Sequence, residues 1–443
     1  MNAPVNSPAR SQRDGRPRQG SGGKQPLVAG LRAATRLAPY DALVLDAALR
    51  QSLVTVRSLG RRGLHVAALE SAGMAPAFSS RWCRQVFHAP AFVESTQPYL
   101  CYLERLLEQT PARVLIASSD GAVALLQEHR ERLERRTSIA LARAPALALA
   151  INKAQTLDVA QRLGLGVPRA VIITAPDDVP AAIAEIGLPA VVKPVESWAR
   201  GEGHALRLTA RLVTSADETR RAVDKLTCMG RPVLFQQFLS GRCEAVSFLY
   251  ARGHIYARFA QWAKRMEPPL GGTSVWRQSI ALPSDLDNHA ERLVREIGLE
   301  GYSEVEFRRD SSGRAYLMEI NPRLSASVEV AVRAGVDFPY LLYQWASGQP
   351  VDDVKGYRTG VWMRYFAGDL RTTVRAVLPE RGRPGVTPPV RAVRDFCATF
   401  FTPAGYDYVD WKDPLPACVA TLGYAGHSIR QLTRLGKELM SKP

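Results

Sequence analysis

Apolar positions change their period several times along the chain. ALVLDA (42–47) is a short continuous apolar run, and in QSLVTVRSLGRRG (51–63) apolar residues recur at helical spacing up to Gly63. LHVAALE (64–70) is a second apolar run, so the three segments predict a βαβ unit with a right-handed crossover. RVLIASSDGAVALLQEHRERL (113–133) repeats strand, turn and helix, and residues 41–140 read as a small doubly wound α/β domain. From 151 the pattern becomes mixed. A helix stops at Gly164, a helix over 181–187 precedes the strand LPAVVKPV (188–195), and a helix over 216–228 precedes VLFQQFL (233–239). Long strands EAVSFLYARG and HIYARFAQWA follow, then a helix over 284–298. SEVEFRRD (303–310) and RAYLMEI (314–320) flank a Ser-Ser-Gly turn and predict a β-hairpin. Helices are expected near 326–334 and 337–347. This order indicates α+β sheets with helices on one side.

The hairpin breaks its own pattern. Its second strand continues into YLMEINPRLS, where Glu319 and Asn321 stand two residues apart among Leu317, Met318, Ile320 and Pro322. Residues i and i+2 of a strand share a face. If Glu306 on the first strand faces the same way, two carboxylates and an amide oxygen converge. Such hard oxygen ligands suit Mg²⁺ held jointly by protein and phosphate. The competing reading is a solvated face with scattered charge. It is weaker because the flanking residues are apolar and because Asn is poor in strands without a partner.

A metal–phosphate site needs cations, and two lysines qualify. Lys153 opens a helix after Asn152, and Lys193 ends an apolar strand where an unpaired charge is costly. Gly201 and Gly203 in ESWARGEGHALRL (196–208) allow close backbone approach to phosphates. No GxxxxGK[ST] is present, and GxGxxG is missing from the first turn, which excludes a P-loop and argues against a dinucleotide. Ser119 and Asp120 fall at the C-terminal end of a strand, where open α/β sheets bind ligands, although Asp120 can equally cap the next helix. Residues 264–277 read as a Pro/Gly-rich loop whose Lys264, Arg265 and Arg277 either clamp a substrate carboxylate or are simply solvated.

Composition narrows the partners. At 443 residues several domains are expected. The net charge is +16, of which residues 1–40 supply +6. The first 26 residues carry almost no bulky apolar side chains and are expected to be disordered. The remaining excess is dispersed arginine without a basic block or interleaved aromatics, so nucleic acid is not expected as a partner. The six cysteines form no CxxC pair, and no apolar run is long enough to span a membrane or serve as a signal. A cytoplasmic protein is expected. Residues 418–440 are apolar on one side and basic on the other, which suits an anionic membrane surface, though packing on their own domain is the expectation.

The order of Lys153, KP (193–194), a glycine segment, FQQFLSGRCE, VEF and MEINPR resembles the ATP-grasp superfamily over about residues 110–350. EINPRLSAS is similar to the matching stretch of carbamoyl phosphate synthetase large subunits, and the whole chain resembles predicted ATP-grasp carboligases. The resemblance implies an α/β domain over 41–140, a two-subdomain ATP-grasp fold over 141–350, and a C-terminal helical extension over 351–443. It implies that Lys153 and Lys193 contact ATP phosphates and that the segment from Glu196, with Gly201 and Gly203, covers them. Gln236, Gln237, Phe238 and Leu239 would line the adenine pocket, and Glu244 would hold the ribose. Glu306, Glu319 and Asn321 would bind Mg²⁺ or Mn²⁺, and Arg323 would contact the transferred phosphoryl group. The implied activity is ATP-dependent activation of a small carboxylate as an acyl phosphate, attacked by an amine or thiol. The alternatives are a bicarbonate-phosphorylating enzyme and a non-catalytic ATP-binding scaffold. The chain departs from the family pattern at Gln237, where a Glu is usual, and at Trp198, Ala199 and Arg200, which make the glycine segment bulky.

Overall fold

The computed structural model describes residues 39–92, 96–201, 204–227, 230–268, 272–378 and 382–424. Three sheets organise them. The first is a five-stranded parallel sheet in the spatial order Cys83–His88, Val66–Glu70, Tyr40–Val44, Ala112–Ile116, Ser138–Ile139. Tyr40–Val44 is the central strand, and the winding reverses beside it, so the crevice beyond Val44 and Ile116 is a topological switch point. The helix Arg50–Arg61 is buried through Gly60, with Leu53, Val56 and Leu59 in the core. Gly60 is required there: a Cβ would sit 2.6 Å from Cβ of Trp82.

The second sheet is antiparallel, ordered Arg211–Val213, Ala190–Pro194, Val233–Gln237, Ala170–Ile173. Alternation gives it two unlike faces. Ile173, Val192 and Phe235 pack in one core with residues of the helices Val179–Ile186 and Ala216–Thr227. The other face carries Lys193 beside Leu234 and Val191 beside Gln236.

The third sheet has seven strands in the order Ala315–Asn321, Gly301–Arg309, Cys243–Ala251, His254–Glu267, Thr273–Ile280, Trp362–Arg364, Gly405–Tyr406. All neighbours are antiparallel except the last pair. The expected hairpin is its edge, closed by a turn in which Asp310 accepts from the backbone N–H groups of Ser312 and Arg314. Residues beyond 351 lend this sheet two strands. The expected loop over 264–277 is instead a long hairpin: Lys264 and Arg265 lie in one strand and Arg277 in the next, which pairs with Ala263. The glycine segment is also a hairpin, with Trp198–Gly201 paired to His204–Arg207. The expected disorder of residues 1–26, Gly203, and most of the terminal amphipathic stretch lie outside the described residues.

Candidate functional site

The edge hairpin sets Glu306 opposite Glu319 and Glu304 opposite Asn321. Opposed residues of an antiparallel pair share a face, so four polar groups stand together while Val305 and Ile320 point into the core. A bulge at Met318 separates the Glu306–Glu319 pair from the Phe307–Leu317 pair, and bulges of this kind re-aim side chains. Asn321 has the partner a strand asparagine needs: its side chain donates to Glu306 at 2.8 Å.

The electrostatics of the pair are asymmetric. Burial, then the charges of Glu319 and Glu304, push the Glu306 carboxyl well above the usual range. Burial also pushes Glu319 upward, but Lys153 and Lys193 outweigh it and hold that carboxyl below its ordinary value. Lys153 Nζ lies 3.3 Å from Glu319 Oε2 and donates to Ser197 Oγ at 2.9 Å. Its helix, Lys153–Arg162, is capped by Asn152, which accepts from Gln155 N–H, and Lys153 N–H donates to Val195 O at 3.0 Å. These two bonds pin the helix start to the exit of the Ala190–Pro194 strand. Burial lowers the Lys193 pKa to about 8, against the pull of Glu319, and Met318 Sδ lies 4.0 Å from its amine.

Arg323, just past the strand-ending Pro322, pairs with Asp120 at 2.6 Å. Burial opposes ionisation of Asp120, but Arg323 outweighs it and keeps the carboxyl below its usual range. Asp120 opens the helix Asp120–Glu128, and the cap is not Asp120 but Ser119, whose Oγ accepts from Ala122 N–H. Ser119 also donates to Asp46 at 2.9 Å, and Asp46 accepts from the N–H groups of Ser118 and Ser119. Ser119 is therefore committed to shaping the crevice and is corrected out of the substrate candidates. Asp120 faces the site. Asp120, Lys153, Glu196, Glu319, Asn321 and Arg323 line one cavity. Glu196 there pairs with Arg231 at 3.0 Å.

Other expected residues fall elsewhere. Glu244 pairs in register with Phe307, on the face opposite Glu306, and its carboxylate is taken by Arg242 and Arg309. It is not placed to hold a ribose beside this cavity. Arg265 is bound through two nitrogens to Asp369, at 2.6 and 2.8 Å. Arg277 is fully buried against Asp407 and Ser327 O. Both fasten the C-terminal segment and neither is available to clamp a carboxylate. Lys264 is exposed, 6.0 Å from the Trp362 ring. Of the expected adenine residues, Leu239 is buried and its carbonyl accepts from Arg308, while Phe238 is half-buried. Gln237 Oε1 accepts from Arg169 N–H at 3.4 Å, and Gln236 is buried on the Lys193 face with its Nε2 donor unpartnered. A buried amide donor without a protein acceptor is costly unless a ligand satisfies it.

Of two further residues of the site, Glu304 escaped the sequence reading, and Trp198 entered it only as bulk in the glycine segment. Glu304 is buried and accepts from Gln261 at 2.8 Å, Ser325 at 2.9 Å and Ser327 at 3.3 Å. It thereby ties the segment after Arg323 to the strand. The signal was present in SEVEF, since Glu304 and Glu306 are two apart. The second is Trp198, whose ring lies 5.4 Å from Phe92, while a Cβ on Gly121 would come within 2.9 Å of both. The bulky tryptophan thus seats the hairpin on the first-domain helix. Gly121→Val is expected to expel Trp198 and to speed tryptic cleavage within 198–207 by roughly tenfold. An unchanged cleavage rate would show that this socket does not hold the hairpin.

The donor set fits a divalent cation bound together with phosphate. Two carboxylates repel each other, burial and that repulsion raise the Glu306 carboxyl above its ordinary range, and Asn321 adds an amide oxygen. Among the described residues no group of three or more His, Cys, Asp or Glu side chains is arranged for a metal.

The family of ATP-grasp proteins in the biosynthetic pathway with Ter operon matches residues 232–368. A D-alanine–D-alanine ligase of Pseudomonas entomophila is 28% identical over 211 residues, covering 44% of this chain and 64% of the ligase. The chain therefore spans just under two thirds of that relative. The biotin carboxylase domain of Hydrogenobacter thermophilus 2-oxoglutarate carboxylase, solved with MgADP, ADP and bicarbonate, superposes with a TM-score of 0.58 at 15% identity, covering 73% of each chain. The L-amino acid ligase of Bacillus licheniformis superposes with a TM-score of 0.53 at 19% identity, covering 71% of this chain and 75% of the ligase. At these identities the two structures establish the fold.

Proposed function

We propose that this chain is an ATP-dependent ligase of the ATP-grasp superfamily, joining a small carboxylate to an amine or thiol. The observation that carries the reading is that Glu319, Asn321, Lys153 and Arg323 line one cavity, with Glu306 opposite Glu319 on the hairpin and Lys193 close enough to feel its charge. The ligase names of two relatives support it and favour an amine as the nucleophile. When bound, Mg-ATP supplies the phosphoryl group that activates the carboxylate; Mn²⁺ suits the same ligands.

The chain's own part is positioning and charge. Glu306, Glu319 and Asn321 hold the metal. Lys153 and Lys193 neutralise phosphate charge in a site of low dielectric. Gln236 offers its free amide donor to the nucleotide beside Gln237, Phe238 and Leu239. Arg323, oriented by Asp120 and by the Glu304-bound segment behind it, faces the developing charge on the transferred group. The hairpin from Trp198, with Gly201, keeps water from a reactive acyl phosphate. The free thiols of Cys83, Cys101, Cys243, Cys397 and Cys418 accord with a reducing cytoplasm.

The test is Mg²⁺-dependent ADP release with pooled amino acids and carboxylates. Turnover that needs both pools supports the ligase, whereas binding of Mg-ATP without turnover favours a scaffold. A pH dependence follows as well. Lys193 in the free protein loses its charge as pH rises through about 8, so kcat/KM for ATP is expected to fall above that pH, because this parameter reports the free enzyme. Lys193→Arg removes this limb by keeping the charge. A profile flat to pH 10, or a limb unchanged in Lys193→Arg, would assign the titration to another group.

A further inference from the structure

The helices Phe366–Val377 and Pro389–Ala398 pack against each other, and the first lies on the strands His254–Glu267 and Thr273–Ile280. They cover the face of the seven-stranded sheet opposite the candidate site. Glu306 shares its face with Ala245, Gln261 and Ser279 through successive pairings, whereas Asp369 of the first helix binds Arg364, which pairs with Trp276 on the other face.

The outer side of this helical layer is apolar. Phe366, Leu370, Val374 and Leu378 recur every fourth residue and are all exposed, Leu378 to 70%. Val390, Val393, Phe400 and Phe401 continue the surface, Phe401 being 89% exposed. The Phe366 ring lies 6.1 Å from Phe396 and 6.3 Å from Phe400, which joins the two rows. Of the fifteen large hydrophobics exposed among the described residues, twelve lie beyond 365, so the exposure is concentrated. Scattered apolar residues need no explanation, but a contiguous patch marks a contact surface.

Charge identifies the occupant. Residues 366–401 contain Arg371, Arg375, Arg381, Arg383, Arg391 and Arg394 against Asp369, Glu380 and Asp395. Arg383 pairs with Glu218, but Glu267 is shared by Arg371 and Arg375, and Asp395 by Arg391 and Arg394, which leaves these two rows cationic. Asp369 is spent internally on Arg265 and Arg364. A second copy would bring like charge against like. The chain beyond Tyr424 has the same chemistry: Arg430, Arg434, Lys437 and Lys442 against Glu438, interleaved with Ile429, Leu432, Leu435 and Leu439. Tyr424, the last described residue, hydrogen-bonds Tyr365 at the start of the apolar row. We propose that this face docks on an anionic phospholipid membrane, with the apolar side chains at the headgroup–acyl boundary and the arginines on lipid phosphates. No helix among the described residues is long and apolar enough to cross a membrane, so the attachment is peripheral. Docking through the back of the sheet leaves the opposite face, with Glu306 and Glu319, uncovered.

The experiment is co-sedimentation of the full chain with vesicles of phosphatidylcholine, with and without phosphatidylglycerol. The chain is expected to follow the anionic vesicles and to be released by salt. Leu370→Asp with Val374→Asp should lower binding at least about tenfold, since two apolar contacts are lost. Arg391→Ala with Arg394→Ala should weaken binding to anionic vesicles only. Because all four side chains are exposed, the thermal transition should stay unchanged. Deletion of 425–443 should leave measurable binding. Failure to bind anionic vesicles, binding unaffected by the aspartates, or complete loss on the deletion alone would each overturn the proposal. A lipid-free dimer abolished by the aspartates, without vesicle binding, would also overturn it by giving the face to a second copy. ADP release in solution is read separately, so this result stands or falls apart from the ligase reading.

Discussion

Glu319→Gln is expected to lower Mg²⁺-dependent ADP release by about a hundredfold to a thousandfold, the usual cost of removing one electrostatic contact to a reacting centre. The change is isosteric, so packing is retained. What is lost is the negative charge that faces Lys153 at 3.3 Å and that, opposite Glu306, would hold the metal. Lys153 keeps Ser197 as an acceptor, so the variant should fold. The neighbour should respond too. Glu319 is the largest like charge acting on Glu306, and without it the Glu306 carboxyl should fall back toward its ordinary range. Activity and the thermal transition measured together decide the matter. Full activity would remove Glu319 from the metal site, and an unfolded variant would make the residue structural.

The largest effect on stability is expected from Asp407→Ala. Arg50, from the first-domain helix, and Arg277, from the seven-stranded sheet, converge on this carboxylate, with Arg277 at 2.5 Å. All three side chains are buried. Burial pushes Asp407 upward, but Arg277 and Arg50 outweigh it and hold the carboxyl below its usual range. Removing it strands two buried guanidinium groups, which costs about 3–5 kcal/mol. Urea unfolding reads this directly. The same depressed carboxyl contributes stability above its unfolded pKa and loses it as pH falls through the folded value, so wild type and variant should converge in acid. A loss below about 1 kcal/mol at neutral pH would mean that water reaches the site and solvates the arginines.

The edge hairpin was legible because strand alternation is local: Glu319 and Asn321 share a face by period, whereas the side taken by Glu306 is decided by the register between the strands. The parallel sheet was legible from its apolar runs, and Lys193 from its cost in an apolar strand. The misreadings have physical causes. Pro268 and Gly272 drew the whole of 264–277 into a loop, although the breaks are confined to the turn and the flanking strands carry Trp262 and Trp276. Glu244 was placed by its order in a motif, whereas register decides its face; Cys243 and Ala245, not Glu244, stand on the side of Glu306. Arg265 and Arg277 were read as free because their partners, Asp369 and Asp407, lie more than a hundred residues away. No local pattern announces such pairs.

The central claim is that this cleft converts a carboxylate into an acyl phosphate. Hydroxylamine traps such an intermediate as a hydroxamate. With Mg-ATP, pooled carboxylates and hydroxylamine, the wild-type chain is expected to form hydroxamate in step with ADP, and the Glu319→Gln chain to form neither. ADP release without hydroxamate, or hydroxamate from the Glu319→Gln chain at the wild-type rate, would contradict the account.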